Sequence, residues 1–139
     1  MPGYSGTPLV RKLGIKPGER VIALQAPENY AALLEDLPEG AAIGKRLVEA
    51  TAFVHLFVTK RSGLEEKLTA LRSKLAPAGT LWVSWPKKAS GVSTDVTEGV
   101  IRAVALPLGF VDVKVCAVDE IWSGLKLMIR KANRVAANQ

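Results

Sequence analysis

The residues best suited to chemistry are two short pairs of basic side chains, Lys60-Arg61 and Lys87-Lys88. Each pair follows a strand-like stretch and leads towards a residue that suits a helix start, Ser62 or Asp95. Backbone N–H groups and the helix dipole favour an anion at such a place. Arginine grips a phosphate or carboxylate with two parallel hydrogen bonds, and lysine acts as a point charge. This pattern predicts an anion site.

A wider set of polar and aromatic side chains accompanies these pairs. Carboxylates among them suit a general acid or base, a helix cap or an ion pair with a lysine, and a tryptophan suits the border of a pocket. The same residues also suit a purely structural role as caps and solvated surface. The predicted anion or ligand site comprises Lys60, Arg61, Ser62, Trp85, Lys87, Lys88, Ser90, Thr94, Asp95, Asp119 and Glu120.

The elements that would position these residues alternate between strands and helices. Short apolar runs rich in β-branched and aromatic residues predict buried strands, with a weaker signal near residue 41. The predicted strands are Arg20–Ala26, Ala41–Leu47, Phe53–Thr59 and Thr80–Trp85. Only residues 48–52 join the second to the third, too few for a helical crossover, so the weak strand runs antiparallel or the chain returns extended.

Helical periodicity appears in three segments, Asn29–Leu37, Ser62–Ala76 and Asp95–Leu106. The middle one carries an apolar stripe at helical spacing, and Ser62 with Glu65 predicts a capping box at its start. Asp95 is expected to cap the last helix.

The period changes to two near the C-terminal end. In Phe110–Val118, Val111, Val113 and Val115 are predicted on one face of a strand, with Asp112 and Lys114 on the other; Trp122–Arg130 alternates as well. Two such strands around a short turn predict an antiparallel hairpin. We therefore expect an α/β fold, a three-layer Rossmann-like mixed sheet of about six strands ending in that hairpin.

Length and charge narrow the class of protein. The chain has 139 residues and a formal charge of +6. This length suits one domain, predicted over residues 1–131, with a frayed tail over 132–139. Seven basic and two acidic residues within 60–88 give that segment +5. A basic surface favours an anionic small molecule or an acidic protein as partner, and nucleic acid is disfavoured because no recognition module is present.

Several classes of site are excluded by composition. One cysteine, Cys116, allows no internal disulfide and fits a reducing, cytoplasmic setting. With a single histidine, His55, an ordinary zinc site is not expected, so no metal is predicted. We expect both side chains to pack in the core. No apolar run reaches about 18 residues, so no membrane span is expected. Exposed strand edges are compatible with a homodimer.

Two stretches carry a resemblance to a known fold. Lys12–Leu24 (KLGIKPGERVIAL) looks like the approach to the first strand of class I methyltransferases that use S-adenosylmethionine, and Leu71–Val83 looks like their helix and strand past mid-fold. The resemblance implies a truncated methyltransferase-like fold. It also implies a cofactor turn after the first strand, which places Gln25, Pro27 and Glu28 as the cofactor-binding candidates.

The sequence departs from that pattern where a cofactor would bind. The turn Gln25–Asn29 has no glycine, although close approach to a cofactor favours one. Lys45-Arg46 stand near the place of the acidic residue that normally ends the second strand, and the third strand with its helix is missing. The departures favour a degenerate site.

The whole chain resembles more closely a small bacterial family without an established activity. The matching residues are Gly3–Leu9, Trp85–Gly91, Thr94–Glu98, Val111–Glu120 and Trp122–Leu125. Two readings of the function stay open. One is a non-catalytic binding domain with no cofactor and an anion or acidic-partner site at the sheet rim. The alternative is an S-adenosylmethionine-dependent methyltransferase with an atypical turn, so whether the chain is an enzyme stays open too.

Overall fold

The predicted strands join into one six-stranded sheet in the order β2-β1-β3-β4-β6-β5. The computed structural model describes residues 7–138, with side chains through Arg134. The strands are β1 (Arg20–Leu24), β2 (Ala42–Gly44), β3 (Thr51–Phe57), β4 (Leu75–Pro86), β5 (Phe110–Ala117) and β6 (Trp122–Ile129). The first four are parallel, and β6 is antiparallel to both β4 and β5. This confirms the mixed sheet and the C-terminal hairpin.

Helices cover both faces of the sheet. The helices are α1 (Leu9–Leu13), α2 (Tyr30–Leu33), α3 (Arg61–Lys74) and α4 (Glu98–Ala105), with 3-10 turns at Lys88–Ser90, Leu106–Leu108 and Lys131–Asn138. One apolar layer joins α3 and α4 to the sheet, and the other joins α1 and α2 to its opposite face. Gly3 to Gly6 of the predicted N-terminal motif lie outside the described residues.

Side chains along β3 and β4 point alternately into the two apolar layers on either face of the sheet. Val54 and Leu56 face α3 and α4, whereas Phe53 and Phe57 face α1 and α2. Trp82 lies in the second layer, where its indole Nε1 donates to the carbonyl oxygen of Leu13 at 2.9 Å. Burial of these large side chains is what holds the central strands in register.

Strand β2 resolves the direction that the sequence left open. It is parallel to β1, so residues 45–50 return to the start of β3 without a helix. The link ends in a tight turn in which the Thr51 hydroxyl donates to the carbonyl oxygen of Val48 at 2.6 Å and accepts from its N–H at 3.2 Å. Ala50 has a φ of 58°, and Glu49 pairs with Lys74 of α3 at 3.0 Å.

Strand β5 differs from its predicted alternation. The pairing with β6 shifts between Asp112 and Lys114. Val111 pairs with Met128 before this bulge and Val115 pairs with Leu125 after it, which places the two valines on opposite faces. The prediction of one valine face is therefore wrong, because the extra residue of a bulge reverses the side-chain alternation.

Two predicted helix starts also differ. Helix α3 begins at Arg61 with Lys60 as N-cap, so Ser62 lies inside the helix and the Ser62–Glu65 capping box is not formed. Helix α4 begins at Glu98, where the Thr97 hydroxyl accepts from Val100 N–H at 3.2 Å. Thr97, rather than Asp95, caps α4. Residues 131–138, which include most of the predicted tail, form a 3-10 helix.

Candidate functional site

A cavity of about 560 Å³ lies at the carboxyl ends of β1 and β2. We call it the carboxyl-edge cavity. All three residues that the sequence proposed for a cofactor, Gln25, Pro27 and Glu28, line it. Its volume falls in the range of small-molecule sites, and open α/β sheets bind ligands at this edge. Its wall also includes Ala23, Ala26, Tyr30, Ile43 and Lys45.

Gln25 has a backbone conformation rare for a residue with a side chain. Its φ is 57°, in the left-handed region that favours glycine. The Gln25 amide Nε2 donates to the carbonyl oxygen of Phe57 at 2.7 Å. This bond spans the ends of β1 and β3, where the strand order reverses and such folds open a ligand crevice. Gln25 thus bridges that crevice and borders the cavity beside it.

Lys45 sets the charge at the far side of the cavity. It directly follows β2 and is exposed. In dinucleotide folds an acidic residue near this place binds ribose hydroxyls, whereas a basic one accepts a phosphate. Glu28 is the carboxylate that lines the cavity, and it comes from the β1–α2 turn. The cavity therefore presents an ammonium group where a ribose-binding carboxylate would stand.

A buried hydrogen-bonded chain lies behind the cavity wall. Tyr30 Oη is 2.8 Å from His55 Nδ1, and His55 Nε2 is 2.7 Å from Ser84 Oγ. His55 also stacks on Phe57, with ring centroids 4.3 Å apart. Burial lowers the pKa of His55 to about 3 and raises the pKa of Tyr30. The imidazole is therefore neutral at pH 7.

This arrangement contains the serine and the histidine of a hydrolytic triad, but a tyrosine stands in place of the acidic residue and substrate cannot reach the chain. His55 and Ser84 are both 0% exposed, and a nucleophile must touch its substrate. We interpret the chain as a satisfied core network, because every buried polar atom in it has a partner. Cys116 does not join it; it is half-buried, and burial raises the pKa of its thiol.

In the predicted anion site, several residues already form hydrogen bonds or ion pairs with neighbouring groups of the protein. Strands β3 and β4 are neighbours, so the loops after them come together. The Thr94 hydroxyl donates to the carbonyl oxygen of Thr59 at 2.6 Å. Asp95 Oδ1 accepts from Arg61 N–H at 2.7 Å, and the Arg61 guanidinium pairs with Glu65 at 3.2 Å. The start of α3 thus already holds a carboxylate.

The other residues of the predicted anion site are buried, form local hydrogen bonds or are exposed. Trp85 is 7% exposed and belongs to the core layer under α3 and α4. Asp119 Oδ1 accepts from two backbone N–H groups of the β5–β6 turn, both at 2.8 Å, and in the described part of the chain it forms no ion pair with Lys87 or Lys88.

The Ser90 hydroxyl donates to the carbonyl oxygen of Lys87 at 2.6 Å. Lys88 and Glu120 are exposed, and Ser62 is exposed within α3.

Two classes of feature are not found where the structure describes the chain. Over residues 7–138 no group of three or more histidine, cysteine or acidic side chains is placed to hold a metal ion. In the same range no helix is both long and apolar enough to cross a bilayer.

Comparison of the fold with solved structures identifies its type. A methyltransferase of Aquifex aeolicus that depends on S-adenosylmethionine superposes with a TM-score of 0.64 at 13% identity, covering 87% of each chain. A putative type 11 methyltransferase of Sulfolobus solfataricus gives 0.60 at 11% identity, covering 88% of this chain and 89% of that one. The fold is methyltransferase-like.

A third similar structure was solved with a protein partner. It is a putative methyltransferase in complex with the Trm112 methyltransferase activator of Haloferax volcanii, with a TM-score of 0.55 at 10% identity and 87% and 86% coverage. No family model matches the sequence, and no curated protein does either. At such low identity these likenesses show the fold alone.

Sequence reasoning missed two parts of this region. It placed Tyr30 in the predicted helix Asn29–Leu37 but not in a hydrogen-bonded chain with His55 and Ser84, because that contact joins three segments far apart in sequence. It noted Lys45 but left it out of the candidate set. The sequence placed Lys45 inside the predicted strand Ala41–Leu47, whereas in the structure it directly follows β2; the available signal was its place near the acidic end of the second strand in the resembling fold.

Proposed function

We propose that this chain is a ligand-binding domain on a methyltransferase scaffold, and that its ligand is a nucleotide-like anion held in the carboxyl-edge cavity. The observation that carries the proposal is the convergence of Gln25, Pro27 and Glu28 with Lys45 around one cavity at the sheet edge where this fold binds ligands. That convergence joins the β1–α2 turn to the end of β2.

The chemistry of the wall supports this ligand class. Ala23, Ala26 and Ile43 give the cavity an apolar surface against which a flat ring packs. The Lys45 ammonium supplies a charged donor for a phosphate or carboxylate. Phosphate recognition by a basic residue after the second strand is the known alternative to ribose recognition by a carboxylate.

Burial of His55 and Ser84 supports a role for the cavity in binding that does not involve these two side chains in catalysis. His55 and Ser84 are sealed in the sheet, with Tyr30 between them and the cavity. A general acid or base must come within hydrogen-bond reach of the atom that it serves. Glu28 is the acidic side chain that lines the cavity.

A second candidate is an S-adenosylmethionine-dependent methyltransferase. The fold and the location of the cavity favour it. The residues fit that cofactor poorly: Gln25 occupies a left-handed position in a turn without glycine, and Lys45 repels a positively charged sulfonium ligand. No methyl-transfer step is therefore derived.

Calorimetric titration with ADP, adenosine and S-adenosylmethionine separates the candidates. We expect ADP to bind at least about tenfold more tightly than adenosine, since a hydrogen bond to a charged group contributes about 1.5–3 kcal/mol. Lys45→Gln should remove the difference, and the matched control Lys60→Gln should keep it. Tighter binding of S-adenosylmethionine than ADP would overturn the proposal in favour of the second candidate, and binding of none at millimolar concentration would refute the proposal.

We also propose that an acidic protein partner contacts the basic rim, which consists of Lys60, Lys87 and Lys88 in the loops after β3 and β4. Asp95 already occupies the start of α3, so an incoming carboxylate would meet the side chains of Lys60, Lys87 and Lys88 instead of helix N–H groups. Replacing Lys87 and Lys88 by Glu should weaken retention of an acidic peptide such as poly-glutamate. Unchanged retention would leave the rim as solvated surface.

A further inference from the structure

A second cavity, of about 640 Å³, lies at the opposite edge of the sheet, at the amino ends of β1 and β3. We call it the amino-edge cavity. Its floor is formed by Ile22 and Ala52, which lie on the face that α3 and α4 cover elsewhere. The residues that would form a third strand and its helices are replaced by the short link 45–50. This link leaves Ala52 exposed at the floor, whereas Ile22 is 2% exposed and lies beneath the cavity wall.

Both walls of the amino-edge cavity are fixed by specific contacts. On one side, the Lys16 N–H donates to Glu19 Oε1 at 3.1 Å, and the Gly18 N–H donates to the carbonyl oxygen of Glu39 at 2.9 Å. On the other side, the Thr51 hydroxyl and the Glu49–Lys74 ion pair hold the link. A cavity with bonded walls is preformed, and preformed sites lose less entropy on binding.

Charge and apolar surface are combined in the amino-edge cavity. Lys16, Arg20 and Arg46 line it with a single carboxylate, Glu19, and Val48 adds an apolar side chain that is 52% exposed. Among the described residues no ion pair uses any of the three cations. Arg20 lies over Gly44, where a Cβ would come within 2.8 Å of its Nε, so the absence of a side chain on Gly44 leaves room for this guanidinium.

We propose that the amino-edge cavity binds an amphipathic anion, a carboxylate or sulfonate on an apolar body, with Arg20 and Arg46 holding the charged group and Val48 and Ala52 packing against the apolar part. Two guanidinium groups beside an apolar floor match the two halves of such a molecule. The left-handed Ala50 in the turn that shapes the wall is a backbone strain of the kind that clusters at binding sites. This site is independent of the carboxyl-edge cavity.

The test compares two probes that share an apolar body and differ in charge, anilinonaphthalene sulfonate and neutral phenylnaphthylamine. Fluorescence titration of the full chain measures both affinities. Replacing Arg20 and Arg46 by Gln should weaken the sulfonate by about tenfold or more and the neutral probe by less than about threefold. The matched control replaces Lys114 and Lys131 by Gln; both are exposed and neither lines the cavity, so this variant removes the same charge and should change both affinities by less than about twofold.

Three results would overturn the proposal. If both double variants weakened binding of the sulfonate equally, the effect would come from general charge attraction and not from a specific site. Equal weakening of both probes would show that the guanidinium groups do not hold the sulfonate. In NMR spectra recorded with the sulfonate, changes in the amide chemical shifts of Glu28 and Tyr30 instead of Ile22 and Val48 would place the probe in the carboxyl-edge cavity. Should the Arg20 and Arg46 variant fail to fold, Val48→Asp tests the same cavity: it should weaken both probes, and an unchanged affinity would refute the site.

Discussion

The buried imidazole of His55 makes the stability of this protein sensitive to mild acid. His55 is the single histidine of the chain, and burial lowers its pKa to about 3 from an ordinary value of 6.5. The folded state resists protonation, whereas the unfolded state accepts a proton near pH 6.5. Stability from this group is therefore fully present above pH 6.5 and falls as the pH drops from there towards 3.

The size of the effect follows from the difference between the two states. Lowering the pH from 7 to 5 protonates most unfolded chains but leaves the folded imidazole neutral, which removes about 2 kcal/mol of unfolding free energy. Asp112, whose pKa is lowered by Arg102, contributes only below its ordinary value of 3.8 and so lies outside this interval. The loss between pH 7 and 5 is thus assigned to His55.

Urea unfolding followed by tryptophan fluorescence at pH 7 and pH 5 measures this loss. The variant His55→Gln should be less stable at pH 7, because the hydrogen bonds to Tyr30 and Ser84 change. It should lose less than about 0.5 kcal/mol between the two pH values, since the titrating group is gone. The same 2 kcal/mol loss in the variant would refute the assignment. A folded wild-type imidazole that titrates near pH 6.5 by NMR would refute it even if the variant did not fold.

Further predictions concern two side chains that fix the loops at the carboxyl edge. Gln25→Ala should cost about 1 kcal/mol in urea unfolding, because it removes the bond to the Phe57 carbonyl and keeps the left-handed backbone. Gln25→Gly should stay within about 0.5 kcal/mol of wild type, since relief of strain offsets the lost bond; a larger loss would contradict the strain argument. Asp95→Ala should cost about 1 kcal/mol by exposing the Arg61 N–H, and Asp95→Asn should restore most of it. Equal losses for both Asp95 variants would show that capping is not its role.

The sequence predicted the parts of the fold that depend on local hydrophobic pattern. The buried strands, the leucine stripe of α3 and the terminal hairpin all follow from side-chain periodicity, and each is present. Because the period of a strand or a helix is set by its own backbone, these features are visible without knowledge of the rest of the chain. The methyltransferase-like architecture was instead implied by the resemblance of Lys12–Leu24 and Leu71–Val83 to that fold.

Features set by contacts between distant segments were not predicted. Asp95 caps α3 from a loop 34 residues away, whereas the sequence favoured the nearby Ser62. A one-residue bulge in β5 moved Val115 to the other face, and nothing in the local alternation indicates such an insertion. At the candidate site, the resemblance placed Gln25, Pro27 and Glu28 on one turn, and all three line the carboxyl-edge cavity. The place of Lys45 in the cavity wall depends on the parallel pairing of β2 with β1, which the sequence left open.

The central claim is that the charge at the end of β2 determines which ligand the carboxyl-edge cavity accepts. The most direct test is the ratio of the dissociation constants for ADP and S-adenosylmethionine, measured by calorimetry on the native chain and on Lys45→Asp. We predict that ADP is preferred by the native chain and that the substitution weakens ADP by about tenfold or more while strengthening S-adenosylmethionine. A ratio that is the same in both proteins would contradict the claim.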